Sequence, residues 1–126
     1  MDHQLLDKLD RIRSLARAQE LRREVNDATG ASEALGQLAQ YAAALAEEDL
    51  LDREVRIEVA GGGHFTGVCR GAGRVAGDLR PGGVALQQRR RGKGRVVVVP
   101  FESIREIRLP RIADRAECPE IDRAPS

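Results

Sequence analysis

The chain is poor in aromatic residues. Tyr41, Phe65 and Phe101 are its only rings among 126 residues, and tryptophan is absent. Aromatic cages, base-stacking platforms and ring-lined grooves for Pro-rich peptides all need more rings than this. Two cysteines and two histidines are too few for a Cys/His structural zinc site within one chain. Cys69 and Cys118 stand far apart with no Cys-x-x-Cys spacing and read as reduced thiols, although spacing alone does not forbid a disulfide. Long apolar runs are missing too. The run Val96-Val97-Val98-Val99 falls far short of the roughly 20 residues a membrane helix needs. Met1-Asp2-His3-Gln4 opens the chain acidic and polar, unlike a targeting segment. The expectation is a soluble, cytoplasmic protein with no membrane contact.

Charge is abundant but hidden by its total of +1. Residues 1–53 hold seven basic and eleven acidic side chains, 54–111 hold twelve and five, and 112–126 hold two and four. The chain therefore has an acidic front, a basic middle and a mildly acidic tail. Only Lys8 and Lys93 of the 21 basic residues are lysine. Heavy use of Arg, Ala and Gly also results from a GC-rich genome, so arginine content by itself says little about nucleic acid.

Two helices are expected first. From His3 to about Ala28, Leu5, Leu9, Ile12 and Ala16 recur at steps of four, three and four, with an overlapping stripe of Leu15, Ala18, Leu21 and Val25. Asp2 is a candidate N-cap, Asp7 and Arg11 a favourable pair, and Gly30 a C-terminal left-handed cap. A second helix spans about Ser32 to Asp49, with Leu35, Leu38, Ala42 and Leu45 on one face. Glu47, Glu48 and Asp49 crowd its C-terminal end, the wrong sign for the helix dipole, and call for fraying or a cationic neighbour such as the basic middle segment. The short connection predicts an antiparallel hairpin that covers one face of the strand-forming segment after it. Neither stripe keeps a strict heptad, which argues against a long coiled coil.

At residue 54 the period changes from helical to alternating. Val55, Ile57 and Val59 alternate with Glu54, Arg56 and Glu58, the mark of a half-buried antiparallel strand. Gly61-Gly62-Gly63 forms a turn into a second strand, His64 to Arg70, with bends expected at Gly67, Gly71 and Gly73. Val84 and Leu86 begin a third strand that ends in the charged hairpin Arg89-Arg90-Arg91-Gly92-Lys93-Gly94. Arg95 to Val99 form a fourth, whose unbroken valines predict burial on both faces. Pro100-Phe101-Glu102-Ser103 makes one short turn before a fifth strand, Ile104 to Leu109, which Pro110 stops. The fold class expected is α+β: a helical hairpin over 1–52, a five-stranded, strongly bent antiparallel small barrel over 53–110, and a mobile tail over 111–126.

Val55-x-Ile57-x-Val59, the glycine turn and Phe65-Thr66-Gly67-Val68 resemble the first hairpin of Sm-like and SH3-like small barrels. The stretch Val98-Val99-Pro100-Phe101-Glu102-Ser103-Ile104 through Leu109 is similar to the end of the C-terminal domain in the bacterial ribosome maturation factor family. The resemblance covers about 53–110 and implies a barrel that contacts RNA or the ribosome. The uridine-pocket residues of Sm-type RNA binders do not transfer. Where those proteins carry an Asp and an Asn, this chain reads Arg74 to Arg80; before the last strand, in place of an Arg-Gly or Lys-His pair, it reads Val99-Pro100-Phe101.

No catalytic constellation emerges. Gly61-Gly62-Gly63 lacks the helix and Gly-Lys-Ser/Thr ending of a phosphate-binding loop. His64 and Cys69 are five apart in a strand and so on opposite faces. Glu47, Glu48, Asp49 and Asp52 read as a solvated helix end in preference to a metal site. The expectation is a non-enzymatic binding module with no cofactor and no metal. Its leading partner is RNA or the ribosome, met by Arg89, Arg90, Arg91, Lys93 and Arg95 together with Arg74 and Arg80. Arg56, Arg70, Arg105 and Arg108 add to the basic character of the same segment. The alternative is a protein-interaction or homo-oligomerisation module using the acidic helices and barrel edges. Phe65 and Phe101 fall at core positions, leaving Tyr41 for a surface role.

Overall fold

A computed structural model describes residues 2–73, 82–90 and 93–110. Helix α1 (Asp2–Glu24) and helix α2 (Ala28–Glu47) precede strands β1 (Glu54–Val59), β2 (His64–Gly73), β3 (Gly83–Arg90) and β4 (Lys93–Pro100). A single 3-10 turn, Phe101–Ser103, then leads into β5 (Ile104–Arg108). The class is α+β, and the five strands form one antiparallel sheet in the order β4-β3-β2-β1-β5. Strands β4 and β5 are its two edges and do not pair with each other, so the sheet is open. The expected tail, 111–126, lies outside the described residues, as does Cys118.

The helical periodicity selects the core face of α1. Leu5, Leu9, Ile12 and Ala16 are all buried. The second stripe does not hold: Leu21 is 48% and Val25 71% exposed. Steps of three fall short of a full turn by about 60° each, so two of them carry that stripe around to the solvent side. The next core position belongs to Gln19, which is 3% exposed.

The hairpin turn differs from its expected form. Gly30 lies inside the first turn of α2 and does not close α1. Asp27 is the N-cap of α2, its Oδ1 accepting the Gly30 N–H at 3.0 Å. The left-handed residue after α1 is Asn26, with φ of 60°, a conformation asparagine tolerates. At the other end of α2, Glu47 and Asp49 of the three wrong-sign carboxylates find partners. Asp49 pairs with Lys8 of α1 at 2.7 Å, not with the basic middle segment. Asp10 and Arg13, at 3.0 Å, form an ion pair within α1, while Arg11 stands 5.9 Å from the centre of the Tyr41 ring. Tyr41 is half-buried against the core, which removes it as a free surface ring.

One hydrophobic cluster joins the layers. It contains Leu9 and Ile12 of α1, Leu38 and Leu45 of α2, Val55 and Ile57 of β1, Leu86 of β3, and Ile104 and Ile107 of β5. Alternation in β1 sends Val55 and Ile57 inward as expected, each fully buried. The connector after α2 is fastened to β2 from both sides of one residue: Asp52 N–H donates to Cys69 O at 2.8 Å, and Cys69 N–H to Arg53 O at 2.9 Å. The ladder between β2 and β3 shifts register between Cys69 and Ala72, where Gly71 takes a φ of 101° and the strand bends.

The valine run departs from its expected double burial. Val99 is buried, Val97 and Val98 are half-buried, and Val96 is 60% exposed. The reason is strand order: β4 has β3 on one side only.

Candidate nucleic-acid interface

The hairpin register places the cations. Gln88 pairs with Arg95, Arg89 with Gly94 and Arg90 with Lys93, so two residues, 91 and 92, separate the strands. Arg89, Arg90, Lys93 and Arg95 therefore belong to the far end of one two-stranded arm, and Arg91 follows Arg90 in the sequence. Arg95 is exposed. Arg89, Arg90 and Lys93 are placed by backbone register, while Arg74, Arg80 and Arg91 lie outside the described residues.

The arm adjoins a polar groove of about 900 Å³ lined by His64, Thr66, Arg70, Gln87, Gln88 and Arg95, among others. Gln88 Nε2 donates to the Thr66 carbonyl at 3.2 Å, and Arg70 Nε donates to Gln87 Oε1 at 2.8 Å. Gly67 is the close approach that lets β3 lie over the bent β2, since a Cβ there would stand 2.8 Å from the Gln87 carbonyl oxygen. Thr66, Gln87 and Gln88 do not stand out by charge or motif in the sequence. Two adjacent glutamines opening into an arginine run are the only local signal for them.

The remaining arginines of the sheet are matched by carboxylates. Arg56 Nε meets Glu58 Oε2 at 2.8 Å, with its Nη2 3.5 Å from His64 Nδ1. Arg108 meets Glu106 at 3.2 Å, Arg105 approaches Glu20 of α1 at 3.9 Å, and Arg70 bonds Asp52. The Glu106 carboxylate raises the pKa of Arg108 above its ordinary value, through a side-chain hydrogen bond and charge attraction. Arg56, Arg70, Arg105 and Arg108 of the sheet body are thus each matched or approached by a carboxylate.

The other candidates take structural roles. Gly61 and Gly62 adopt φ of 91° and 93° in the β1–β2 turn, where Val59 N–H donates to Gly63 O at 3.0 Å. Cys69 is fully buried, its Sγ 3.5 Å from the Ala46 carbonyl oxygen, and burial pushes its thiol pKa up, whereas His64 is exposed. A buried, protonated thiol is a poor nucleophile. Glu47, Asp49 and Asp52 are engaged by Ala72 N–H, Lys8 and Arg70 respectively. Among the described residues no three His, Cys, Asp or Glu side chains converge as a metal ion requires, and no helix is long and apolar enough to cross a membrane.

No protein-family model, curated protein or solved structure matches the chain.

Proposed function

We propose that the chain is a non-enzymatic RNA-binding module that contacts RNA or the ribosome through the end of the β3–β4 hairpin. The observation that carries this reading is the register. Arg90 opposite Lys93, and Arg95 opposite Gln88 at the groove, gather basic residues on one arm while the arginines of the sheet body are held by carboxylates. Guanidinium groups on such an arm suit phosphate oxygens, which they meet through short, charge-assisted hydrogen bonds. Among the described residues only the half-buried Phe65 and the exposed His64 bring rings to the adjoining groove, so recognition rests mainly on phosphate contact and sequence preference is weak. In the same reading the bent sheet is an Sm/SH3-like small barrel, a kinship supported by the bend of β2 and by the one-turn helix before β5.

The test is fluorescence anisotropy with a mixed-sequence RNA at several salt concentrations. Five phosphate contacts give a slope of about −3.5 in log affinity against log salt for a single strand. Replacing Arg89, Arg90 and Arg91 together by Glu is expected to abolish binding at moderate salt. No measurable binding of the unaltered chain at low salt overturns the reading.

A further inference from the structure

We infer that β4 is an association edge on which a second copy of this chain pairs, antiparallel and across a two-fold axis at Val96, to join two sheets into one.

The two edges of the sheet are not equivalent. Helix α1 packs along β5, and Arg13, Arg17 and Glu20 of the helix share a groove with Arg105 and Glu106 of that strand. On β4 the main packing partner is β3 alone among the described elements. Proteins usually blunt a free edge with charge, proline or a covering element. Here the middle of the edge is Val96-Val97-Val98, with Val96 60% exposed, and the charges and Pro100 stand only towards its ends.

The hydrogen-bond alternation says which groups face outward. Phe101 N–H donates to Gly82 O at 3.2 Å, which makes Gly83–Pro100 a non-hydrogen-bonded pair and Val84–Val99 a hydrogen-bonded one. Counting back, Val97 and Arg95 turn their backbone groups toward β3. Gly94, Val96 and Val98 therefore turn theirs away from the sheet, and Pro100, which has no N–H to offer, has the same orientation.

That pattern is complementary to itself in one register. With Val96 opposite the second copy's Val96, Gly94 meets Val98 and every outward N–H of these three residues has a carbonyl facing it. Arg95 then faces a valine, and no cation of β4 opposes its own counterpart. Moving the axis to Arg95 sets two guanidinium groups directly opposite, which is unfavourable. Moving it to Val97 sets Gly94 against Pro100 and loses a hydrogen bond at each end. The Val96 register also buries the most exposed large hydrophobic of the sheet against its own mate, and it sends the two cationic hairpin ends in opposite directions.

The test is sedimentation equilibrium of the full chain over a concentration series reaching about 0.1 mM. A monomer–dimer equilibrium is expected, and Val96→Lys, which places two ammonium groups opposite each other, should weaken it by about tenfold or more. Circular dichroism of that variant checks that the fold is kept. A gain-of-function variant stands beside it. In a Cys118→Ser background, Val96→Cys should form an intermolecular disulfide under mild oxidation, because a hydrogen-bonded antiparallel pair has Cα atoms about 5.5 Å apart. Val97→Cys, which lies opposite Arg95 in this register, should not. A chain that stays monomeric throughout overturns the inference. So does a dimer indifferent to Val96→Lys, or one in which Val97→Cys crosslinks and Val96→Cys does not.

Discussion

The carboxylate of Glu47, the last residue of α2, accepts a hydrogen bond from the backbone N–H of Ala72 at 3.1 Å. Ala72 comes directly after Gly71, whose φ of 101° marks the bend of β2. The helix end is thereby tied to the one place where the β2–β3 ladder loses register. A side chain at Gly71 would be strained by its φ, and its Cβ would also stand 3.3 Å from Glu47 Oε2. Gly71→Ala is expected to cost about 1–3 kcal/mol in urea denaturation. Glu47→Gln, which keeps an acceptor oxygen, should lie within about 0.5 kcal/mol of the unaltered chain. An equal loss from both variants would show that the tie acts through charge, not through this hydrogen bond.

Two other glycines predict opposite signs for one chemical change. At Gly36, within α2, an added Cβ would meet nothing within 4 Å. Gly36→Ala should therefore stabilise the chain by about 0.5–1 kcal/mol through helix propensity alone. At Gly83 the Cβ would overlap the Val99 carbonyl oxygen, so β3 and β4 would have to separate where their ladder begins. Gly83→Ala is expected to lower the thermal midpoint and weaken amide-exchange protection along β4. Protection loss confined to α2 would contradict this placement.

How much of the fold is legible in the sequence depends on the range of the interaction that decides it. Leu5-Leu9-Ile12-Ala16 and Val55-x-Ile57 are legible because period and burial are set by neighbours a few residues away. Asn26-Asp27-Ala28-Thr29-Gly30 offers two ways to end one helix and start the next. The choice falls to the Asp27 side chain, which captures Gly30 N–H and receives Arg22 at 3.1 Å. Val96 to Val99 mislead because a valine run does not encode whether its strand has one neighbour or two. The arginines are countable but their partners are mostly not: Asp52 reaches Arg70, and Glu20 reaches Arg105, only after folding. Arg56–Glu58 and Arg108–Glu106 are exceptions, since residues two apart on a strand share a face.

Gln19 occupies a core position of α1, 3% exposed, and its Oε1 has no hydrogen-bond partner among the described residues. An unsatisfied buried acceptor costs the desolvation of the group with nothing in return. Gln19→Met keeps the length and flexibility of the side chain and removes the amide. It is expected to raise stability by about 1–2 kcal/mol, measured as a higher urea midpoint at unchanged slope. A decrease would mean that the amide nitrogen contributes more than the orphaned oxygen costs.

Asp27 supplies a pH dependence with a definite sign. The Gly30 N–H bonded to its carboxylate, and the adjacent Arg22 guanidinium, lower its pKa below the ordinary carboxylate value. Because the folded state holds the ionised form more strongly than the unfolded chain does, this group stabilises the fold above the unfolded value of about 3.9. The contribution falls away as the pH drops below that value and through the lower, folded one. Asp27→Asn keeps a side-chain oxygen for the Gly30 N–H but carries no charge and does not titrate there. At neutral pH the unaltered chain should therefore melt a few degrees above the Asn variant. The gap should close on acidification, since a protonated Asp27 and an Asn differ little as caps. Thermal melts of both proteins from neutral pH down to about pH 2 read this directly. A gap that stays constant throughout would place the acid sensitivity of the hairpin on another carboxylate.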